Sequence, residues 1–141
     1  VTNEKIWDYV SDDGSDILTY EPVIEESIYW LKAVNQNQDY GVFLVHPQNY
    51  VCYEVHTCLL PTVWGMALEC TIPLIEWVFR NTKCQRLVTN VPEYNYRALS
   101  LAKRSGLTEY GFNEKSYLKN GKLFSQIMLG ISKEDVCQQQ Q

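Results

Sequence analysis

The stretch Leu59 to Phe79, LLPTVWGMALECTIPLIEWVF, constrains the fold more than any other part of this 141-residue chain. It reads as the end of a buried strand, a proline-marked turn, a lone glycine and then a long apolar helix over 66–80. A helix start leaves about four backbone N–H groups unpaired and carries a partial positive charge, so such a junction is a potential anion cradle. The plainer alternative is a simple strand-to-helix connection. Pro73 lies inside the apolar run, which implies either a kink or a helix start near Thr71.

Around this junction the chain alternates between strand and helix signals. Residues 5–10 alternate as a short strand would, closed by the polar loop Ser11-Asp12-Asp13-Gly14-Ser15-Asp16. After Pro22, apolar residues at 24, 28 and 31 recur at helical spacing around the acidic pair Glu25-Glu26, predicting a helix over 23–32. Runs 40–46 and 50–60, parted by His46-Pro47-Gln48-Asn49, predict an antiparallel hairpin. Arg86 to Val91 is a β-branched strand stopped by Pro92. Glu93 to Ser105 has helical spacing, with Gly106 at the left-handed position past its end. Asn120-Gly121 centres a second hairpin within 110–132. This order predicts one mixed α/β domain over 1–136, with helices on both faces of a mostly antiparallel sheet and a disordered tail at 137–141.

Composition narrows the function. With 45% hydrophobic residues the chain has ample core material for one domain. Twelve basic against 17 acidic side chains give a net charge of −5, which argues against a phosphate-backbone partner, so no nucleic acid is expected. The five cysteines are odd in number and show no CxxC spacing, as expected in a reducing cytoplasm. No run of 18 apolar residues occurs, so no membrane partner is expected. Cys52, Glu54, His56 and Cys58 share one strand face, but side chains two apart on one strand are too spread for all four to reach a tetrahedral ion, so no metal is expected.

The runs LLPTVWGMALE, RLVTNVPEYNYRALSLAKRSGL and EYGFNEKSYLKNGKLFSQIMLGIS together resemble the GNAT superfamily of acetyl-CoA-dependent N-acyltransferases over about residues 40–132. The chain's end is also similar to that of short GNAT-like proteins of tailed phages, some of them internal virion proteins. In the superfamily a V-x-P-x-x-R-G-x-G-x-G/A loop holds the coenzyme A pyrophosphate on its backbone amides; here Pro61 and Gly65 match. The second element, N-x-x-A-x-x-L-Y-x-K-x-G-F, is matched in kind by Asn95, Ala98, Leu101, Arg104 and Gly106. The resemblance therefore implies acetyl-CoA as co-substrate, bound by Leu59, Leu60, Trp64, Gly65, Met66, Ala67, Leu68 and Asn95. It also implies two strands splayed at Leu59-Leu60 and Val88-Thr89, their free backbone groups pairing with pantetheine. Trp64 stands in place of the usual Arg, Ala67 in place of the second Gly, and Glu69 at the third small position.

Acetyl transfer to a primary amine requires a base for the ammonium, and Glu54 with His56 on one strand face can relay that proton through water. The bland alternative is an exposed Glu54 and a structural His56. Counting from Trp64, the family's base position falls on Tyr53 or Val55 of the opposite face, and a β-bulge would reset the phase. The tyrosine that protonates the leaving thiolate in many relatives falls at Ala102, leaving water, Tyr94 or Tyr96 for that role. The expected protein is a slow acetyl-CoA-dependent N-acetyltransferase, monomeric or homodimeric, in the cytoplasm of a cell or host, or in a virion. The alternative is a GNAT-fold structural or virion-associated protein without catalysis.

Overall fold

The hairpin at Pro47 forms as the sequence predicts and sets the register of the sheet. In the computed structural model, which describes residues 1–139, strand β2 (Gln38–Pro47) pairs antiparallel with β3 (Cys52–Leu59), placing His46 opposite Glu54 and Leu44 opposite His56. Asn49 caps the turn, its Oδ1 accepting from the Val51 and Cys52 amides at 3.0 and 2.9 Å. Strand β1 (Tyr29–Asn35) adds to β2, and β4 (Arg86–Pro92), β6 (Lys122–Ser132) and β5 (Thr108–Lys119) complete one six-stranded sheet in the order β1-β2-β3-β4-β6-β5. Among the described residues only β3 and β4 run parallel. They do so because the chain crosses between them through the 3₁₀ segment Pro61–Met66 and helix α2 (Ala67–Asn81).

Helix α2 starts at Ala67, so Pro73 is an interior residue and not a helix start. The continuous helical span Pro61–Asn81 is long and apolar enough by length and composition to cross a membrane. Its stripe Ala67, Leu74, Ile75, Val78 and Phe79 is nonetheless buried in the main core with Tyr53, Val55, Leu87, Leu129 and Ile131 of the sheet. Helix α3 (Tyr96–Arg104) adds Leu99, Leu101 and Ala102 to the same core. A buried hydroxyl pair joins the two helices: Thr71 Oγ1 lies 2.7 Å from Ser105 Oγ, which donates to the Leu101 carbonyl at 2.7 Å. Gly106 closes α3 with a φ of 100° and Asn120-Gly121 turns the last hairpin with φ values of 53° and 72°, both as predicted.

The first third of the chain departs from expectation. Residues 5–10 are not a strand but lie in helix α1 (Glu4–Val10), capped by Asn3, whose Oδ1 accepts from the Lys5 amide at 2.9 Å. Asn3 and Glu4 are an N-cap and an acidic first turn, and Ile6 and Val10 stand one turn apart; over so short a run that signal is indistinguishable from strand alternation. Residues 23–32 are not a helix: Ile24 is 77% exposed, and Tyr29 onward is β1. Asn35 pairs with Gln38 across a two-residue turn in which Gln36 and Asn37 both have positive φ, at 49° and 68°. Helical spacing of three apolar residues lost here to the cross-strand packing of Tyr29, Leu31 and Ala33. The strand closes tightly over Gly41, where an added Cβ would sit 2.2 Å from the Cys58 carbonyl oxygen, so only glycine fits.

The N-terminal segment is fastened to the last hairpin by polar contacts. Buried Lys119 donates to the Ser11 carbonyl at 2.9 Å and pairs with Asp8 at 3.3 Å. Asp13 accepts from the Asn120 and Gly121 amides at 2.8 and 2.7 Å, and those backbone donors hold its carboxyl below its ordinary pKa. The tail predicted from Cys137 begins instead as the end of helix α4 (Lys133–Gln139), and Gln140 and Gln141 lie outside the described residues.

Candidate functional site

Strands β3 and β4 pair only through Cys52 with Arg86, Tyr53 with Leu87 and Glu54 with Val88. Beyond that point they diverge, although β3 continues to Leu59 and β4 to Pro92. The parting begins earlier than the predicted Leu59-Leu60, and a cavity of about 340 Å³ occupies it. That volume lies in the range of small-molecule sites. The cavity reaches both faces of the sheet. On the core side it meets Trp64 and, from α3 and its cap, Asn95, Ala98 and Ala102; on the other it meets Glu54 and His56. Helix α1 packs against β3, and Ile6 and Trp7 line this second side together with Trp30 and Leu44.

Glu54 is the centre of a polar cluster. Its side chain is 14% exposed, and both oxygens are held: Asn90 Nδ2 donates to Oε1 at 3.0 Å across the start of the parting, and Gln48 Nε2 donates to Oε2 at 3.1 Å. His46 and His56 each bring Nε2 to 3.6 Å from a carboxylate oxygen. Their two Nε2 atoms are 3.1 Å apart, and the ring centres lie 5.3 Å apart with the planes 14° from parallel, so the rings meet through their nitrogens. Desolvation holds the His56 pKa below its ordinary 6.5; Glu54 opposes that shift and His46 adds to it. The His56 side chain is still 44% exposed, so solvent moderates the effect. A neutral imidazole beside an oriented carboxylate can accept a proton from an incoming ammonium and keep the resulting charge paired.

The sequence-predicted residues divide between the cavity and its surroundings. Glu54, His56, Leu59, Trp64 and Asn95 line the cavity. Ala67 is buried in the core, Leu60, Met66 and Leu68 pack against that core, and Gly65 is exposed. The open loop expected at 61–66 is a 3₁₀ helix, in which the N–H groups past the opening residues serve the carbonyl three residues back. Val63 N–H donates to Leu60 at 3.0 Å, and Ala67 N–H donates to Trp64. The junction is therefore a continuous helix and not a ring of free amides. A Cβ added at Gly65 would meet nothing within 4 Å, so no protein atom demands glycine there.

Asn95 spends its Oδ1 on the α3 cap, accepting from Ala98 N–H at 3.2 Å, and retains its amide donor for a ligand. No bulge resets β3: its pairing with β2 is continuous from Tyr53 to Leu59, and the register shifts lie in β1 at Ala33/Val34 and in β5 at Glu109/Gly111 and Asn113/Tyr117. Glu54 and His56 reach the cavity because the parted strands open the sheet to both faces. Ala102 lines the cavity where a tyrosine was sought, whereas Tyr96 is exposed. Tyr117, which sequence reasoning missed, also lines it; burial first and then Tyr94 push its pKa well above the ordinary phenol value, a poor setting for donating a proton. His46 was missed as well, although counting pairs outward from the Pro47 turn sets it opposite Glu54.

No family model matches the sequence, and no curated protein matches it significantly. Solved structures do. A chimera of Vibrio cholerae spermidine N-acetyltransferase SpeG with hSSAT superposes with a TM-score of 0.74 at 15% identity, over 80% of this chain and 71% of that one. This is the GNAT fold. The V. cholerae spermidine N-acetyltransferase in complex with CoA and spermine gives a TM-score of 0.68 at 18% identity, over 73% of this chain and 63% of that one. A GNAT-family acetyltransferase from Bacillus anthracis gives 0.65 at 17%, over 72% and 63%.

Proposed function

We propose that this chain transfers an acetyl group from acetyl-CoA to a primary amine within a ternary complex. The observation that carries the reading is the parting of β3 and β4 beyond Glu54 and Val88, with one cavity joining Asn95 and Ala98 on one side to Glu54 and His56 on the other. The pantetheine arm lies in the parting, pairing with the exposed strand edges and with the Asn95 amide. The amine enters on the His56 side. Its ammonium is attracted by Glu54 and gives its proton to the neutral His56 ring, and the free amine attacks the thioester carbonyl. The carbon–nitrogen bond forms, the carbon–sulfur bond breaks, the thiolate leaves, and the nitrogen gives up its second proton to water as the amide forms.

With Ala102 in the cavity wall, that thiolate departs unprotonated or takes its proton from water, so turnover is slow and rises with pH as more amine is neutral. A cationic polyamine suits the carboxylate at the mouth, and the fold likeness to a protein solved with spermine supports that class of acceptor. A second reading keeps the cavity and drops the chemistry, as in a virion-associated structural protein; Ala102 and the engaged amides of the 3₁₀ segment favour it. Calorimetry with acetyl-CoA, together with thiol release in the presence of spermidine, spermine and simple alkylamines, separates the two. Acetyl-CoA at a hundred times Kd raises stability by about 2.7 kcal/mol wherever it binds, and only the enzyme releases thiol. No heat and no thermal shift at millimolar acetyl-CoA would refute the acetyltransferase and leave the second reading.

A further inference from the structure

The register of the β2–β3 hairpin brings together three side chains whose arrangement goes beyond proton transfer. His46 stands opposite Glu54 and one diagonal step from His56 on the same face, an arrangement that no single strand could provide. We propose that His46, Glu54 and His56 form a binding site for one first-row divalent cation of the zinc class, with its remaining position open to the cavity. One ligand atom from each residue lies within 4.8 Å of the others. An ion about 2.1 Å from each Nε2 would see the two nitrogens, 3.1 Å apart, at an angle of roughly 95°. The carboxylate oxygen 3.6 Å from His46 is Oε2 and the one 3.6 Å from His56 is Oε1, so both oxygens of Glu54 lie beside the nitrogens. Two imidazoles and a carboxylate are an ordinary donor set for a zinc-type ion and, with one carboxylate oxygen bound, leave a fourth position for water.

The surroundings are those of a built site. Asn90 and Gln48 each donate to one carboxylate oxygen, fixing the plane of Glu54 from two different segments, as the outer partners of metal ligands do. Without an ion, two imidazole nitrogens at hydrogen-bond distance can share only one proton, and each faces a carboxylate as well; a dication satisfies all three at once. The same side chains serve as proton acceptor or as ligands, never both together. The metal-loaded form is therefore a resting state in acetyl transfer, and this last consequence alone rests on the proposed activity.

The test uses the full chain freed of metal with chelator, titrated with Zn²⁺ by calorimetry and with Co²⁺ by absorption, without acetyl-CoA. One equivalent should bind, giving a Co²⁺ spectrum free of thiolate charge-transfer bands. His46→Ala and Glu54→Gln should each weaken binding by at least a hundredfold, with His46→Gln as the alternative should the alanine variant fail to fold by circular dichroism. Asn90→Ala should weaken it by 10–100-fold, and Cys52→Ser should leave it unchanged. Undiminished binding in a folded His46 variant, a thiolate spectrum lost in Cys52→Ser, or no binding at 100 μM metal would overturn the site. Where thiol release is measurable, one equivalent of Zn²⁺ should suppress it and EDTA restore it. Suppression absent despite stoichiometric binding, or turnover lost in metal-free protein, would overturn the resting state, while absence of thiol release in both forms would count against the acetyltransferase reading and not against the metal site.

Discussion

Two neighbouring regions, both expected to hold the cofactor, are built in opposite ways. Between β3 and β4 the backbone edges are unpaired, and a cavity fills the gap. A few residues further on, at Pro61–Met66, the backbone is paired with itself in a 3₁₀ helix that feeds directly into α2. The first region offers an extended ligand the hydrogen bonds of a missing strand; the second offers an anion only the field of a helix start. Affinity for acetyl-CoA should thus come from the acetyl-pantetheine arm and little from the pyrophosphate.

The largest effect expected is on the chemistry. His56→Ala should lower kcat for acetyl transfer by 10²–10⁴-fold while leaving the calorimetric Kd for acetyl-CoA unchanged, because the ring lies on the amine side of the cavity. An unchanged rate would move the base elsewhere. Filling the gap comes next. Ala98→Phe, on the opposite wall, should weaken acetyl-CoA binding at least tenfold, about 1.4 kcal/mol, and intact binding would place the arm outside the parted strands.

Holding the two cavity-flanking helices together is a smaller matter. Ser105→Ala removes the buried link to Thr71 and should cost about 1 kcal/mol in a urea titration, since Thr71 Oγ1 can fall back on the Leu68 carbonyl 3.3 Å away. A loss above about 3 kcal/mol would show that the pair holds the cavity open as well. The smallest effect sharpens the comparison most. Gly65→Ala should leave acetyl-CoA affinity within about twofold and raise stability by up to about 1 kcal/mol, because the position is helical and no atom crowds it. Loss of binding there would mean that the 3₁₀ segment opens to receive the pyrophosphate.

The sequence made most of the fold legible from Tyr40 onward, where Pro47, Pro92, Gly106 and Asn120-Gly121 mark ends and turns by local backbone chemistry. It misled where the signal depended on partners. The apolar residues of 24–31 have helical spacing in isolation, yet only β2 decides that Tyr29 and Leu31 face a sheet. The site was legible strand by strand: Glu54 and His56 follow from period-two alternation. His46 follows only from cross-strand register, and the closure of 61–66 only from how tightly Trp64 and Leu60 pack against the core. Pro61 and Gly65 indicated where a cradle would be, not whether its amides were free.

The central claim is that the gap between β3 and β4 takes the acetyl-pantetheine arm and delivers its acetyl group to an amine at Glu54 and His56. It is tested most directly by initial rates of thiol release from acetyl-pantetheine and from acetyl-CoA, side by side, with spermidine in metal-free buffer. The account predicts that both serve as donors, with equal kcat and KM values within about tenfold, a difference of at most about 1.4 kcal/mol. Turnover of acetyl-CoA alone would place the binding energy on the helix junction, and release from neither would contradict acetyl transfer itself.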